Sequence, residues 1–372
     1  MRRSRGPDSL SRAQADRLRL VRQRLTAWGA DAFLLTNPRD IRYLSGFIGD
    51  DSWALVRAGR SKITVLSDFR FQEQVRKEAP GVRAVMRKKS LASELGKLVR
   101  KYGLRRIALQ PDSVTLSQRK TLVKEIGARG LLHVDDGMLR QRAVKHRTEV
   151  AAIRAALRIQ EGAFRTTLEH LRPGQSEAQV AAFLEYQMRL QGADGPSFHT
   201  IVAAGSNASL PHAVPGRRRV RANQVLLIDW GARARGYCSD LTRVVAIGRM
   251  PARMREVYRV VLEAQEAAID AIAPGKPLSD IDEVARGIIR KAGYGPRFGH
   301  GLGHGIGLDI HEQPVLSARA KGDLEPGQIV TVEPGIYLPG IGGVRIEDDV
   351  LVTARGGQVL SRLPKSLESA TI

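Results

Sequence analysis

The sequence predicts a mixed α/β (α+β) protein of two domains, and three observations carry that prediction. Over the first 140 or so residues, short apolar strands alternate with amphipathic helical stretches. A basic stretch, Arg140 to Arg147, then leads into much longer helical patterns. The remainder runs twice through one order of elements, two helices followed by strands, each copy about a hundred residues long. The boundary is placed near residue 146, giving a first domain over 1–146 and a second, duplicated in its element order, over 147–372.

The elements justify themselves in order. Strand candidates in the first domain are 32–35, 53–56, 63–66 and 107–109, with amphipathic helices over 91–102 and 116–126. The helix over 148–171 presents Ile153, Ala156, Leu157, Phe164, Leu168 and Leu171 on one face, with Gln160 the polar interruption, and stops at Pro173-Gly174. A second helix, 177–191, opens with Ser176 and Gln179 in capping-box spacing and closes at Gly192. Strands follow, ending in VLLIDWGARARGYCSDLTRVVAIG. The order then restarts: a helix over 252–272 ends before Pro274-Gly275, and one over 280–292 begins after Ser279 and ends at Gly293. Strands again close the copy, in IVTVEPGIYLPGIGGVRIEDDVLVTA.

Composition narrows the class. A hydrophobic content of 42% and charged content of 26% describe an ordinary folded protein. No apolar run approaches the roughly 18 residues of a membrane-spanning helix. The start, MRRSRGPDSLSRAQADRLRL, is basic with no apolar stretch behind it, so it does not read as a secretory signal, and Asp8 and Asp16 weaken a mitochondrial reading. Cys238 is the only cysteine, which excludes an intramolecular disulfide and makes a reducing cytoplasm the expected home. The formal charge of +22 is uneven. Residues 1–150 hold 33 Lys and Arg against 15 Asp and Glu, whereas residues 151–372 hold 27 against 23. Basic residues are scattered, without interleaved aromatics, in runs no longer than Arg87-Lys88-Lys89 or Arg217-Arg218-Arg219. That pattern reads as a solvated surface, and nucleic acid is not the expected partner.

The chemistry-bearing residues lie in the strands. If the turn of the first hairpin is centred between Ala234 and Arg235, Asp229 falls directly opposite Asp240, with Cβ atoms about 5 Å apart on one face. Centring the second turn on Gly340 sets Glu333 opposite Glu347, and Arg345, two residues before Glu347, shares its face. An acid on a strand is ordinarily just the solvent face. Two opposed pairs are not, because like charges at that separation repel unless a cation is shared. The stretch GHGLGHGIGLDIHE adds His300, His304 and His311, and its glycines argue for an extended, close-approach segment rather than an HExxH helix. Four carboxylates balance two divalent cations. Such a pair lowers the pKa of water held between the ions and makes hydroxide available at neutral pH. The oxygen-rich donor set suits Mn²⁺ or Co²⁺, with Zn²⁺ as the alternative.

Taken together, SFHTIVAAGSNASLPHA (197–213), LLIDWGA and GYCSDLTR (226–243), GHGLGHGIGLDIHE, TVEPGIY (331–337) and VRIEDD (344–349) resemble the motif series of the creatinase/prolidase/aminopeptidase P metallopeptidases. LLTNPRDIRYLSGF (34–47) is similar, more loosely, to that family's N-terminal accessory domain. The resemblance implies a creatinase-like α/β domain followed by a catalytic domain of the "pita-bread" fold. It implies metal ligation by Asp229, Asp240, His304, Glu333 and Glu347, with Asp240 and Glu347 bridging two ions. It gives Glu333 a proton-shuttling role and has His311 stabilise the tetrahedral intermediate. His212, His300 and Arg345, with His311, match positions that line the substrate pocket. His199 and Trp230 depart from the usual residues at their positions, and both are expected to reshape that pocket.

The implied activity is hydrolysis of the bond between an N-terminal residue and proline. The partners are therefore peptides with proline second, acted on by a homo-oligomer, most simply a dimer. An aminopeptidase P-like preference for longer peptides is favoured by a small margin over the alternative, a dipeptide-specific prolidase. A methionine aminopeptidase shares the ligands but would not carry the extra domain, and creatinase lacks the intact metal set. A non-catalytic pita-bread binding module is the reading from a different class. The five retained ligand-type residues weigh against it.

Overall fold

A computed structural model of the chain describes residues 11–59, 61–135 and 137–372, so the first ten residues of the basic N-terminal segment lie outside the described residues. Contacts divide the chain into two units, one up to Gln141 and one from Arg142 to Ile372.

The first unit opens with helix α1 (Arg12–Trp28), capped by a reciprocal pairing of Ser11 and Gln14. Strand β1 (Ala32–Leu35), α2 (Pro38–Ser45), β2 (Trp53–Arg57), β3 (Thr64–Ser67), α3 (Gln72–Glu78) and β4 (Arg83–Met86) follow. Then come α4 (Leu91–Tyr102), β5 (Ile107–Leu109), α5 (Leu116–Ile126) and β6 (Leu131–His133). The strands form one mixed sheet in the order β4-β3-β2-β1-β5-β6. Every residue of β1 and β3 is buried, which is why those strands read as continuous apolar runs rather than as alternation. Leu95 and Leu98 of α4 and Leu122 of α5 cover one face, on Leu34, Leu55, Leu66 and Leu109. Sequence pattern does not single out α1, because only Leu18, Val21 and Leu25 of its 17 residues are buried.

A short helix, α6 (Leu139–Ala143), runs across the division in the chain. The second unit then repeats itself. Its first half is α7 (Arg147–His170), α8 (Glu177–Leu190), β7 (Gly195–Pro196), β8 (Ile201–Ala204), β9 (Val225–Trp230), β10 (Ala232–Ala234), β11 (Tyr237–Cys238) and β12 (Leu241–Ala246). Its second half is α9 (Ala252–Ala271), α10 (Leu278–Lys291), β13 (Gly303–Gly305), β14 (Glu312–Leu316), β15 (Ile329–Val332), β16 (Gly335–Leu338), β17 (Gly342–Arg345), β18 (Asp348–Thr353) and β19 (Gly356–Val359). Antiparallel β8-β9-β12 in the first half corresponds to antiparallel β13-β15-β18 in the second. Ser176 and Gln179 form the expected capping box at α8. At α10 the helix instead starts a turn-fraction earlier, after Pro277, so Ser279 lies inside it rather than capping it.

Alternation along β9 decides what faces the centre. Leu226, Ile228 and Trp230 pack against Ile153, Leu157, Phe164 and Leu184 of α7 and α8. Val225 and Leu227 face the other way, into a core shared with α9, α10, β15 and β18. Asp229 has their parity, so the strand directs it towards that shared interior. Among the described residues no helix is long and apolar enough to cross a membrane. The basic runs are partly structural: Arg87 pairs with Asp68 at 2.9 Å, and Arg219 donates to the Gly174 carbonyl at 2.6 Å.

Candidate metal centre

The first hairpin turns one residue later than its sequence suggests. Arg235 and Gly236 both have positive φ, of 52° and 76°, the requirement of a two-residue hairpin turn whose twist matches the flanking strands. Asp229 therefore pairs with Thr242, not with Asp240, which lies two residues back on the partner strand. The difference is an even number of residues, so both carboxylates still share one face. The strands are also interrupted at Gly231, where a Cβ would sit 2.1 Å from the Ser239 carbonyl oxygen. In the second hairpin, β16–β17 pairs Gly335 with Arg345, and β15–β18 pairs Val332 with Asp348. Both ladders have the register in which Glu333 opposes Glu347, as the turn at Gly340 predicts. Each half thus carries one acid at the end of its middle strand and one just before its next strand.

These acids converge. One carboxylate oxygen from each of Asp229, Asp240 and Glu347 lies within 4.8 Å of the others, and all three residues are buried. His304, on β13, points Nε2 at Asp240 Oδ2 (3.7 Å) and Glu333 Oε1 (3.4 Å). Its Nδ1–H donates to the Gly305 carbonyl at 3.0 Å, which leaves the Nε2 lone pair facing the carboxylates. All five ligand-type residues chosen from the sequence meet in one place. Arg345 closes the cluster, donating from Nη2 to Asp229 Oδ2 at 2.5 Å and from Nη1 to the Tyr337 hydroxyl at 2.7 Å.

The remaining histidines sit around this centre. The rings of His304 and His311 meet edge-on with centroids 4.4 Å apart, and His311 is exposed. His212 is exposed on the segment between β8 and β9, next to Pro211, whose carbonyl accepts from Arg345 at 3.4 Å. His300 has both nitrogens engaged: Nδ1 donates to the Gly301 carbonyl (2.8 Å) and Nε2 meets the Tyr337 hydroxyl (2.9 Å). Burial holds its pKa down at about 4, so it is neutral. Trp230 does not reach the pocket. It is fully buried, stacked on Phe164 at 4.4 Å, on the strand face opposite Asp229. His199 is exposed.

Several residues that hold the site were not singled out from the sequence. Thr242 donates to Glu347 Oε2 at 2.7 Å, Thr331 to Glu333 Oε1 at 3.1 Å, and Asp349 Oδ2 accepts from the Asp240 N–H at 3.3 Å. The signal was available. Thr242, Thr331 and Asp349 each lie two residues from a chosen acid and so share its strand face. Arg243 and Asp348, on the opposite parity, form a buried pair at 2.8 Å behind the site.

The electrostatics show what the cluster lacks. Burial, then the charges of Glu347, Asp229 and Glu333, push the Asp240 carboxyl well above the usual range. Burial and the charges of Glu333 and Asp229 do the same to Glu347. Glu333 is raised to about 7, burial again being the main cause. Asp229 Oδ1, Asp240 Oδ1 and Glu347 Oε1 are buried without a hydrogen-bond partner. Buried polar atoms are almost always paired. Orphaned oxygens on three like-charged groups, beside a correctly tautomeric imidazole, fit divalent cations. A consequence follows for protons. Raised proton affinity makes protons compete with cations for these carboxyls, so cation binding displaces protons. Adding Mn²⁺ at pH 7 is expected to release protons, and to release fewer at pH 9. Indicator absorbance in weak buffer measures the release, and none at pH 7 contradicts the raised carboxyl values.

Comparison with known proteins agrees with this geometry. Residues 151–354 match metallopeptidase family M24, and residues 17–144 match the creatinase/prolidase N-terminal domain. The structure is similar to an Xaa-Pro dipeptidase from Bacillus anthracis, with TM-score 0.92 and 37% identity over 96% of this chain and 100% of that one. It is similar also to an X-Pro aminopeptidase from Thermotoga maritima, with TM-score 0.87 and 39% identity over 93% and 98% of the two chains. For a prolidase from Pyrococcus horikoshii the TM-score is 0.88, with 32% identity over 95% and 99%. The chain belongs to metallopeptidase family M24, with a creatinase/prolidase N-terminal domain ahead of a catalytic domain of the pita-bread fold.

Proposed function

We propose that this metallopeptidase is an Xaa-Pro dipeptidase of the prolidase type, with Asp229, Asp240, His304, Glu333 and Glu347 holding two divalent cations. The observation that carries the reading is the buried cluster of acids with three orphaned oxygens, set in a chain so similar to an Xaa-Pro dipeptidase. The sequence alone leans towards an aminopeptidase; the likeness to a dipeptidase and a prolidase favours the alternative. Mn²⁺ is the cation best matched to a donor set of carboxylates and one imidazole.

Bound cations would supply Lewis acidity at the scissile carbonyl and acidify water at the site. The chain's own residues do the rest. Glu333, beside His304 at the edge of the cluster, is placed to take a proton and return it to the leaving proline nitrogen. His311 and His212 offer ring N–H groups to the oxygen that gains charge as the carbonyl becomes tetrahedral. Arg345 is held rigid by Asp229, Thr242 and Tyr337. It presents fixed positive charge to the negative end of the substrate. His300 contributes as a wall and as a prop for Tyr337, since both its nitrogens are engaged.

The test is a substrate panel. With Mn²⁺ added, kcat/KM for Ala-Pro is expected to exceed that for Ala-Pro-Ala by about tenfold or more, about 1.4 kcal/mol of discrimination. A reversed ratio assigns the aminopeptidase activity instead, and no cleavage of either peptide removes the Xaa-Pro reading.

A further inference from the structure

Glu177 is a buried carboxylate, only 1% exposed, that the metal centre does not use. It is the first residue of α8, where the helix N-terminus favours negative charge. Its partners are not cations but three N–H groups from one stretch of chain. Oε1 accepts from the Ala204 backbone N–H at 2.8 Å and from the Asn207 side chain at 2.9 Å. Oε2 accepts from the Gly216 backbone N–H at 3.1 Å. The two oxygens thus grip the two ends of the segment 204–216, which carries the exposed His212.

That segment begins as a 3-10 turn, Gly205–Ser209, and beyond it is tied by the Ala213 N–H to the Leu210 carbonyl and by Arg345 to the Pro211 carbonyl. Leu210, His212 and Val214 are exposed, Leu210 at 54% and Val214 at 85%. Ala208 and Ala213 are its buried apolar anchors. Its position nevertheless matters at the metal centre, because the Pro211 carbonyl touches the same Arg345 that donates to Asp229. The clamp is reinforced from outside: Arg218 donates to Asn207 Oδ1 at 3.1 Å, and the Glu177 and Ala178 N–H groups bond the Arg218 and Gly216 carbonyls.

We propose that Glu177 is a positioning residue that sets substrate affinity by fixing both ends of the His212 segment over the metal centre. This rests on the reading above, in which His212 meets the peptide. The carboxylate is suited to the task because it accepts from both ends at once, and loss of its charge removes one of them. In Glu177→Gln the amide oxygen still serves one end, while the amide NH₂ meets a second donor at the other. The side chain keeps its size, so α8 and its cap remain.

The experiment uses the full chain loaded with Mn²⁺ and Ala-Pro as substrate. Glu177→Gln is expected to raise KM about tenfold with kcat changed less than about threefold, the loss of one bond to a charged acceptor. In a His212→Ala background the same change is expected to raise KM no further, because both act through one group. Amide hydrogen exchange over 205–216 should accelerate, with Mn²⁺ content and exchange within α8 unaltered. A KM within about twofold of the parent, or a full tenfold increase that persists without His212, overturns the proposal. If the parent protein cleaves no Xaa-Pro peptide, the substrate reading fails by itself. Exchange then decides the clamp, and unchanged protection over 205–216 in Glu177→Gln overturns it.

Discussion

Asp240→Asn is expected to lower kcat/KM on an Xaa-Pro dipeptide by on the order of a thousandfold and to remove high-affinity divalent metal binding. Asp240 lies among the other acids: the charges of Glu347, Asp229 and Glu333 add to burial in raising its pKa, and its Oδ2 also faces His304. The same substitution should have unequal effects on stability in the two metal states. With saturating Mn²⁺ the parent gains binding free energy, about 4 kcal/mol at a thousand times Kd. The variant loses that gain and melts lower. In EDTA the difference narrows, because burial and the neighbouring acids raise the proton affinity of Asp240, and its protonated form is as neutral as the amide. Chelation should therefore lower the parent's melting temperature by several degrees and leave that of the variant nearly unmoved. Calorimetric scans of both proteins with Mn²⁺ and with EDTA check all four values. A parent melting curve indifferent to EDTA would sink the assignment of a filled metal site.

How far the sequence discloses this centre follows from strand geometry. Side chains alternate with a period of two, so a turn misplaced by one residue moves the opposed residue by two and keeps its face. That is why Asp229 and Asp240 share a face even though their pairing partners differ from the expected ones. Glu333 and Glu347 needed no such tolerance, because the glycine of their turn marks its centre. The helices of the second unit were legible for a similar reason: long apolar stripes, a capping box and Pro-Gly stops leave few alternatives. What escaped was tertiary. Nothing local to Glu177 distinguishes a helix-starting acid in solvent from one that receives three N–H groups out of a segment some thirty residues away. Likewise Arg243, in a strand that reads as apolar, pairs with Asp348 and with carbonyls of Leu363 and Pro364 more than a hundred residues on. Trp230 misled in the converse way. Its place beside a ligand suggested the pocket, but adjacency along a strand means the opposite face.

The glycines of GHGLGHGIGLDIHE make the sharpest structural prediction, since one motif contains both a permissive position and a prohibitive one. At Gly303 an added Cβ would lie 2.0 Å from the Thr331 carbonyl oxygen and 2.8 Å from its Oγ1. Neither obstacle is a flexible chain end. The carbonyl belongs to β15, and Thr331 Oγ1 accepts the His304 N–H at 3.0 Å while donating to Glu333. Relief of the clash therefore means moving β13 off β15, which separates His304 from Glu333. Gly303→Ala should cost about 3 kcal/mol or more, at the upper end for overpacking, and should weaken Mn²⁺ binding as well. At Gly299 an added Cβ meets nothing within 4 Å, and its φ is not one that favours glycine. Gly299→Ala should thus lie within about 0.5 kcal/mol of the parent with metal affinity unchanged. Urea unfolding of the two variants in EDTA separates the packing effect from the metal, and Mn²⁺ titration of the folded proteins supplies the other half. Equal stabilities would mean that the motif's glycines serve only chain flexibility. A selective loss at Gly303 would show that they are there to let β15 approach the backbone that carries His304.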